Sequence, residues 1–409
     1  MSLLIYNIGL LATPQGQSAR GGAAQGDIYT LKDAYLLIRD GRIAAVGQGM
    51  PRDYEGETLD AGGRLCTPGL VDAHTHLVFG GWRAHELALK LQGVPYLDIL
   101  AQGGGILSTV RATRAADEEA LAEKALDVLD GMLALGVTSC ECKSGYGLAT
   151  EQELKQLRVT RTLQNRQPMT LVSTFMGAHA LPEEYRGNRE GYIDLVIHDM
   201  LPRVARENLA QYCDVFCEQG VFSVEESRRI LLAAQALGLG AKIHADEVEA
   251  IGGSRLAGEI GAVSAEHLIA ADDAGIAALK AGGVIACLLP ATSLYLGKPF
   301  ARARDMVNAG VPVCAATDFN PGSCPGGNMQ LVMNLACWQY RLLPQEVLTA
   351  VTLNAAAAIG LAGEVGTLEA GKRADAVLWD SDNLDFIFYR FGQNLAHTVI
   401  KDGHIIAGN

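Results

Sequence analysis

Eight short apolar runs, separated by segments with helical periodicity, constrain the fold of this chain more than any other feature. Each run has the length of a buried strand, and the predicted strands cover residues 70–76, 137–142, 170–176, 213–217, 240–245, 262–267, 284–289 and 312–317. Two intervening segments open with the capping-box patterns Thr150-x-x-Glu153 and Ser223-x-x-Glu226. Eight strand–helix units over about 250 residues predict a closed parallel (β/α)8 barrel, an α/β fold. An open doubly wound sheet is the alternative, but it binds ligands after one or two strands, whereas here polar residues follow nearly every strand.

Both ends of the chain are rich in strand signals, in contrast to the middle. Asp40-Gly41 and Asp402-Gly403 each interrupt an apolar run, and Asp-Gly is typical of tight hairpin turns. Because chain termini often lie close together, we expect residues 1–66 and 364–409 to form one small β-sandwich domain. Residues 67–363 would then form the barrel domain.

The charge balance excludes several classes of partner. The net charge is −13 and no cluster of basic residues occurs, which argues against nucleic acid. No apolar run is long enough to cross a membrane, and the first residues lack the pattern of a secretory signal, so we expect a cytoplasmic protein. The nine cysteines are scattered inside apolar runs, as expected of core residues in a reducing compartment. An anionic substrate would need a metal or a placed arginine, because the acidic surface repels it.

Polar side chains at the ends of several predicted strands indicate a metal site. His74 and His76 lie one residue apart at the end of the first run, so in a strand both would point to the same face. His244, His267 and Asp318 follow the fifth, sixth and eighth runs. Each alone is more readily a hydrogen-bonded structural residue. Together, at the carboxyl ends of barrel strands, they can fill the coordination shell of a metal.

This set of residues resembles the amidohydrolase superfamily. Longer motifs resemble, within it, the imidazolonepropionases of histidine degradation, and they run through the whole chain: Phe79 to Glu86, Glu141 to Gly147, Gly177 to Ala180, His244 to Glu247, Asp318 to Gly322 and Gly371 to Asp375. The resemblance implies a barrel of amidohydrolase type and a hydrolase of cyclic amides. It also implies a homodimer.

The resemblance implies that His74, His76, His244 and Asp318 bind one metal ion per subunit, Zn²⁺ or Fe³⁺. Nitrogen and oxygen ligands suit both metals, so the sequence does not choose between them. Relatives with two metals carry a bridging lysine on strand four, where this chain has Asp214 to Glu218. A carboxylated Lys143 or Lys242 on another strand is the remaining alternative for a second metal.

The implied reaction is hydrolysis of the ring amide C–N bond of 4-imidazolone-5-propanoate, which gives N-formimidoyl-L-glutamate. Glu247, three residues after His244, is placed to orient or deprotonate the attacking water, and His267 to polarise the carbonyl oxygen. Asp318 is the other candidate for carrying protons. The sequence leaves open which carboxylate is the base.

The substrate is a small anion, so its recognition should centre on a cation. Arg83 follows the first strand, and its guanidinium can hold the propionate in a bidentate pair. By resemblance, further contacts to the substrate come from Tyr146, His179, Glu247, Asn320, Gly322 and Ser323. Residues 103–108 are expected to form a flexible loop over the site. Trp82 and Cys324 receive no assigned role.

Two other functions are compatible with parts of the pattern. A guanine- or cytosine-type aminohydrolase on the same scaffold would share His244, Glu247 and His267, but a neutral base gives Arg83 no carboxylate to pair with. A non-catalytic scaffold that has lost its metal should show gaps in the ligand set, and this chain shows none.

Overall fold

A sheet of eight parallel strands forms the centre of the molecule. The structure, a computed structural model, describes residues 2–51, 54–94, 98–99 and 103–408. Neighbours in this sheet are consecutive in the chain, as in a barrel. Its strands are β6 (Leu70–Asp72), β7 (Val137–Lys143), β8 (Thr170–Ala178), β9 (Tyr212–Cys217), β10 (Gly240–Ala245), β11 (Ser264–His267), β12 (Ile285–Leu288) and β13 (Val313–Ala315). The predicted barrel of eight parallel strands is therefore confirmed.

The first and last strands meet through the segments that follow them. Thr75 and Phe319 form an isolated parallel bridge. The amide of Asp318 donates to the carbonyl of His74 at 3.0 Å, and the amide of His76 donates to the carbonyl of Phe319 at 2.8 Å. The prediction that the first strand reaches residue 76 is wrong, since β6 ends at Asp72. Beyond Asp72 the chain pairs with the segment after β13, and we call this junction of the first and last strands the barrel seam. His74 and His76 both lie at the barrel seam.

Helices connect the barrel strands and cover the barrel. The described α-helices are Leu87–Leu91, Gly105–Ala115, Glu118–Ala134, Thr150–Leu163, Arg189–Leu195, Leu201–Arg206, Val224–Ala236, Gly253–Ile260, Asp273–Gly282, Pro290–Leu296, Ala303–Asn308, Met329–Trp338, Pro344–Ala350, Leu353–Ala358 and Leu384–Tyr389. Shorter 3-10 turns cover Gly22–Gly26, Ala84–Glu86 and Glu183–Tyr185, and a π-helical turn covers Val196–Met200. None of the helices in the described part of the chain has the length and apolar character needed to cross a membrane.

The two capping-box patterns differ in outcome. Ser223 caps the helix Val224–Ala236 and forms the predicted reciprocal bonds with Glu226. The box predicted at Thr150 is wrong, because the capping residue is Ala149 and Thr150 is already helical.

The predicted loop at 103–108 is also wrong in part, since the helix Gly105–Ala115 includes residues 105–108. Residues 100–102, next to this segment, lie outside the described residues.

A second sheet takes strands from both ends of the chain. Its strands are β1 (Ser2–Thr13), β2 (Tyr29–Arg39), β3 (Arg42–Gln48), β4 (Glu57–Asp60), β5 (Leu65–Pro68), β14 (Ala376–Trp379), β15 (Ala396–Lys401) and β16 (His404–Gly408). The antiparallel pairing of β14 with β5 joins the two ends. Asp40-Gly41 and Asp402-Gly403 form the two predicted turns, all four residues with positive φ. The exact domain limits stay a prediction; β5 spans the proposed limit at residue 66.

The nine cysteines are free, and eight of them are buried. They therefore behave as the small core residues that their positions in apolar runs predict.

Candidate active site

The four side chains predicted to bind a metal lie together beyond the carboxyl ends of the barrel strands, and all four are buried. Nε2 of His74 lies 3.4 Å from Oδ1 of Asp318, and Nε2 of His76 lies 3.7 Å from the same oxygen. The ring centroid of His244 lies 4.7 Å from that of His74 and 5.5 Å from that of His76. The structure thus brings the three imidazoles and the carboxylate into one cluster. Their role as ligands stays a prediction.

Several nitrogen atoms of this cluster have no hydrogen-bond partner. Within the described ranges, Nε2 of His74 and Nε2 of His244 are buried and make no hydrogen bond. Buried polar atoms are nearly always paired, so these nitrogens require an explanation. Burial lowers the pKa of His74 and of His76 well below the usual value, so both rings are neutral and keep a lone pair. Neutral, unpaired imidazoles around a carboxylate suit a cation.

His267 lies as close to the cluster centre as the predicted ligands. Ligand atoms of His74, His244 and His267 lie within 4.8 Å of one another, as do those of His74, His76 and Asp318. Burial also lowers the pKa of His267 well below its usual value. The backbone φ of His267 is +67° and that of Asp318 is +53°, a left-handed conformation that is uncommon for non-glycine residues. The geometry allows His267 to bind a cation or to contact a substrate oxygen.

Two carboxylates that the sequence analysis missed contact the far side of the histidine rings. Nδ1 of His74 contacts Oε2 of Glu266, and Nδ1 of His244 lies 3.0 Å from Oδ2 of Asp214. Although burial opposes it, the charge of Asp214 raises the pKa of His244. Carboxylates in this position fix the orientation of metal-binding imidazoles and increase their basicity. Each ring therefore presents its Nε2 to the cluster centre.

Lys143 links these two carboxylates to a third. Its Nζ lies 2.7 Å from Oδ2 of Asp214, 2.9 Å from Oε2 of Glu141 and 3.7 Å from Oε2 of Glu266. Lys242 adds a second ammonium group, 2.6 Å from Oε1 of Glu141. All five side chains have no solvent exposure. We call Glu141, Lys143, Asp214, Lys242 and Glu266 the ionic floor.

The ionic floor argues against a carboxylated lysine. A carboxylated lysine is an anion, and both ammonium groups lie among carboxylates. Although burial opposes it, the charges of Asp214 and Glu141 raise the pKa of Lys143 well above its usual value. Burial alone would lower the pKa of Lys242, but the charge of Glu141 outweighs burial and the pKa is raised. Both lysines are charged counter-ions here.

Glu247 lies between the histidine cluster and a cavity of about 320 Å³ that Thr292 and Lys298 also line. Its Oε2 lies 3.5 Å from Nε2 of His267. Burial, and after it the charge of Asp318, raises the pKa of Glu247 to about 7. Burial also raises the pKa of Asp318 to about 6. A carboxyl group with a pKa near 7 can accept and return a proton at neutral pH.

The loop after β13 supports Asp318 through Asn320. Nδ2 of Asn320 donates to Oδ1 of Asp318 at 3.1 Å, and its Oδ1 accepts from the amides of Gly322 at 2.8 Å and Ser323 at 2.7 Å. Thr292, which the sequence analysis missed, donates to Oδ2 of Asp318 at 2.6 Å. These hydrogen bonds fix the position of the loop relative to Asp318. Contacts of Asn320, Gly322 and Ser323 with substrate stay predictions.

The structure places Arg83 in a pair that the sequence did not predict. Nε and Nη2 of Arg83 donate to Oε1 and Oε2 of Glu86, each at 2.9 Å. The bidentate edge expected to hold the substrate is therefore occupied by the chain's own carboxylate. The remaining nitrogen, Nη1, lies beside Gly322, where a Cβ atom would stand 2.1 Å from it. Binding of the propionate by Arg83 stays a prediction, through this other edge.

Tyr146 and His179 pack against the cluster. The ring of His179 stacks on that of His76, with centroids 4.9 Å apart and planes 17° apart. The ring centroid of Tyr146 lies 5.3 Å from that of His179 and 5.9 Å from that of His76. Burial lowers the pKa of His179 to about 3, and its Nδ1 donates to the carbonyl of Gly145 at 3.1 Å. Both rings lie where a substrate ring at the cluster would meet them; their substrate contacts stay predictions.

Packing accounts for the two residues without an assigned role. Trp82 lies edge-on to Phe79, with centroids 5.1 Å apart, and the ammonium of Lys124 lies 4.4 Å from its ring centroid. Cys324 is buried, and its carbonyl accepts from the amide of Asn320 at 2.9 Å.

Comparison with known proteins identifies the family. The chain is 49% identical over 414 residues to imidazolonepropionase from Alkaliphilus metalliredigens, covering 99% of this chain and 98% of that one. It is 51% identical over 406 residues to imidazolonepropionase from Bacillus velezensis, covering 98% and 96%. The chain belongs to the imidazolonepropionase family. It is thus a hydrolase that acts on carbon–nitrogen bonds in cyclic amides, in histidine degradation.

More distant comparisons agree with the fold. A sequence model of the amidohydrolase family matches residues 204–406. A variant of atrazine chlorohydrolase from Arthrobacter aurescens, complexed with zinc and atraton, superposes with a TM-score of 0.77 at 20% identity, covering 100% of this chain and 95% of that one. A 5-methylcytosine deaminase from Klebsiella pneumoniae gives 0.76 at 20% identity, covering 99% and 98%. At this identity the likeness shows the fold alone.

Proposed function

We propose that this chain hydrolyses the ring amide C–N bond of 4-imidazolone-5-propanoate to N-formimidoyl-L-glutamate, with one metal ion held by His74, His76, His244 and Asp318. The observation that carries the proposal is that Nε2 of His74 and Nε2 of His244 are buried without a hydrogen-bond partner, with Nε2 of His74 3.4 Å from Oδ1 of Asp318. The family supports it independently.

The donor set fits either zinc or iron. Three imidazoles and one carboxylate match the preferences of both ions, and the atrazine chlorohydrolase variant from Arthrobacter aurescens is complexed with zinc. When bound, such an ion lowers the pKa of a coordinated water from 15.7 to about 7 and so supplies a nucleophile at neutral pH.

Glu247 is the proposed base. Its pKa of about 7 lets it take the proton that the attacking water loses, and later deliver a proton to the leaving ring nitrogen. His267, 3.5 Å from Glu247, would donate to the carbonyl oxygen as that oxygen gains negative charge. For this donation, His267 must carry a proton on the nitrogen that faces the oxygen. Asp318 stays available as a second proton carrier, with a pKa of about 6.

Arg83 is the proposed anchor for the propionate, and Tyr146 and His179 would enclose the ring. Asn320, Gly322 and Ser323 would offer backbone and side-chain polar groups from the loop after β13. These assignments follow the family motifs, and the positions of the side chains around the cluster support them. The resemblance further supports a cytosolic homodimer, which light scattering of the purified protein would test.

The direct test is turnover of candidate substrates. Purified protein is incubated separately with 4-imidazolone-5-propanoate, guanine and cytosine, and loss of each chromophore is followed. We expect turnover of the imidazolone alone. Turnover of a nucleobase alone would overturn the proposal.

Metal content tests the ligand assignment separately. We expect about one zinc or iron ion per chain by elemental analysis of the purified protein, because a catalytic site usually holds one such ion. His244→Ala should lose that metal, while a surface variant such as His198→Ala should keep it, since His198 is largely exposed. Full metal retention in His244→Ala would contradict the assignment.

A further inference from the structure

Glu86 is a buried carboxylate in the segment that follows the first barrel strand, and its side chain has no solvent exposure. Its two oxygens accept from Nε and Nη2 of Arg83, each at 2.9 Å. Oε1 also accepts from the amide of Gly105 at 2.7 Å, at the start of the helix Gly105–Ala115. Oε2 lies 3.4 Å from the ammonium of Lys90. A buried carboxylate with this many partners is held in one position, and it therefore holds the side chains bonded to it in one position as well.

The fork of Arg83 is therefore oriented before any ligand arrives. With Nε and Nη2 bound to Glu86, the guanidinium cannot rotate, and Nη1 is left beside Gly322. The absence of a side chain at Gly322 provides the space that Nη1 occupies, since a Cβ atom there would stand 2.1 Å away. Arg83 is 9% exposed, so its remaining edge is accessible only in part.

The same group of residues is tied to the loop that carries Asp318. Nζ of Lys90 donates to the carbonyl of Gly322 at 2.8 Å. The amide of Gly322 donates to Asn320 at 2.8 Å, and Asn320 donates to Asp318 at 3.1 Å. A series of hydrogen bonds, joined by the ion pair of Lys90 with Glu86, thus connects Arg83 to Asp318 in the histidine cluster.

The charges of this group are unbalanced. Arg83 and Lys90 carry two positive charges and Glu86 carries one negative charge, because Arg83 lowers the pKa of Glu86 even though burial opposes this. One positive charge remains uncompensated in a protein of net charge −13. Such a group attracts one carboxylate and, in a partly buried setting, favours it strongly over a neutral group.

We propose that Glu86 is a positioning residue for substrate recognition: it holds Arg83 with its free edge turned to receive the single carboxylate of the substrate. The inference rests on the proposed function, which supplies an anionic substrate. It assigns Glu86 no contact with the substrate and no part in the bond cleavage. Its effect is to remove the conformational freedom that Arg83 would otherwise lose on binding.

Binding of two ligands tests this inference without requiring turnover. Affinities of wild type and Glu86→Gln are measured by calorimetry for 3-(imidazol-4-yl)propanoate, which carries a carboxylate, and for 4-methylimidazole, which does not. We expect Glu86→Gln to weaken binding of the first by about 2- to 10-fold, the range for the conformational freedom of one immobilised side chain, and to leave binding of the second unchanged. In turnover, KM should rise while kcat stays within about twofold, as for lost uniform binding.

Glu346→Gln is the matched control. Glu346 also accepts a bidentate Arg, Arg304, and a backbone amide, that of Leu343. It lies beside Gln25 and Val313, at the amino end of the last barrel strand, away from the cluster. We expect this variant to keep wild-type affinity for both ligands.

The outcomes separate the inference from the proposed function. Equal weakening of both ligands, or of neither, in Glu86→Gln overturns the positioning role. In the double variant with Arg83→Ala, the Glu86 change should have no further effect on the carboxylate ligand; a full additive loss would also overturn it. Absence of imidazolone turnover by the wild type would refute the proposed function, while the ligand-binding comparison would still decide the role of Glu86.

Discussion

Two ionic clusters flank the candidate active site, and they differ in burial and in what they hold. The ionic floor lies on barrel strands, has no solvent exposure, and contacts the imidazoles of His74 and His244. The second group, which we call the rim group, consists of Arg83, Glu86 and Lys90 in the segment after β6 that forms the 3-10 turn Ala84–Glu86 and the helix Leu87–Leu91. Their side chains are 9%, 0% and 22% exposed. The floor thus orients the proposed metal ligands, whereas the rim group orients the proposed substrate anchor. Substitutions in the ionic floor should therefore lower the affinity for metal, and substitutions in the rim group should lower the affinity for substrate.

Lys143→Met should have the largest effect on the free energy of unfolding. It leaves Glu141, Asp214 and Glu266 without their shared cation, and removing one partner of a buried ion pair costs about 3–5 kcal/mol of stability. Because two of these carboxylates orient histidines, metal affinity should fall by about 10- to 100-fold. Urea unfolding and metal titration measure the two effects. Lys280→Met, at an exposed lysine, is the control. Wild-type metal affinity in Lys143→Met would show that the ionic floor does not orient the metal ligands.

Glu247→Gln addresses the chemistry between the two clusters. Loss of a general base should reduce kcat by about 10²- to 10⁴-fold. Since burial raises the pKa of Glu247 to about 7, the active carboxylate form disappears as the pH falls through 7, and wild-type kcat/KM should fall on that acid side. The variant should lack this limb while keeping its metal. An unchanged acid limb in Glu247→Gln would assign the titration to another group.

Arg83→Ala tests the rim directly. Removing the guanidinium should raise KM by about 10- to 100-fold, since it deletes a charge-assisted pair with the substrate carboxylate. Metal content, measured by elemental analysis, should equal that of the wild type. Metal loss in this variant would show that the rim also supports the ligands, and the separation of the two clusters would fail.

Gly322→Ala should have the smallest effect of the four. Gly322 does not have the left-handed backbone, so alanine adds no conformational strain, but its Cβ would stand 2.1 Å from Nη1 of Arg83. The guanidinium must shift, and we expect KM to rise by about 3- to 10-fold, because a long side chain can move part of the way. In the Arg83→Ala background the same change should have no effect on KM. A further rise there would mean that Gly322 acts through another contact.

The strand order and the cluster of polar residues at the strand ends were predictable because their sequence signals are local. Apolar runs mark β7 to β12 within a few residues, and polar residues at the strand ends have one common destination in a parallel barrel. The hairpin turn at Asp40-Gly41 depends on two adjacent residues, and it formed as predicted.

The ionic floor was not predictable, because all of its pairs except that of Glu141 with Lys143 join distant parts of the chain. Glu266 lies on the sixth barrel strand and His74 lies just after the first, and nothing near either residue identifies its partner. In the sequence, the only signal is a charged residue inside an apolar strand, as with Asp214 and Lys143. Such a residue must be paired when buried, but the partner follows from the register of the barrel. Glu86 ends the motif Phe79 to Glu86, but its residue type resembles that of an exposed helical residue and indicates neither its burial nor its partner.

The two capping patterns show how tertiary contacts override a local signal. Ser223 and Glu226 form the reciprocal box, whereas Glu153 accepts from the amides of Gly145, Gly147 and Leu148. Glu153 thereby fixes the loop after β7, on which Tyr146 lies. The same sequence pattern was available for two uses, and the neighbouring loop determined which one formed.

The hydrogen bonds between the segments of His74 and Asp318 have a consequence for synthesis of the protein. The barrel seam and the proposed ligand set are completed by the same residues, at opposite ends of the barrel sequence. A nascent chain still on the ribosome can present His74, His76 and even His244 without having made Asp318. Metal loading with the complete ligand set therefore awaits translation of the eighth strand unit, and nascent chains truncated before it should acquire the ion weakly or not at all.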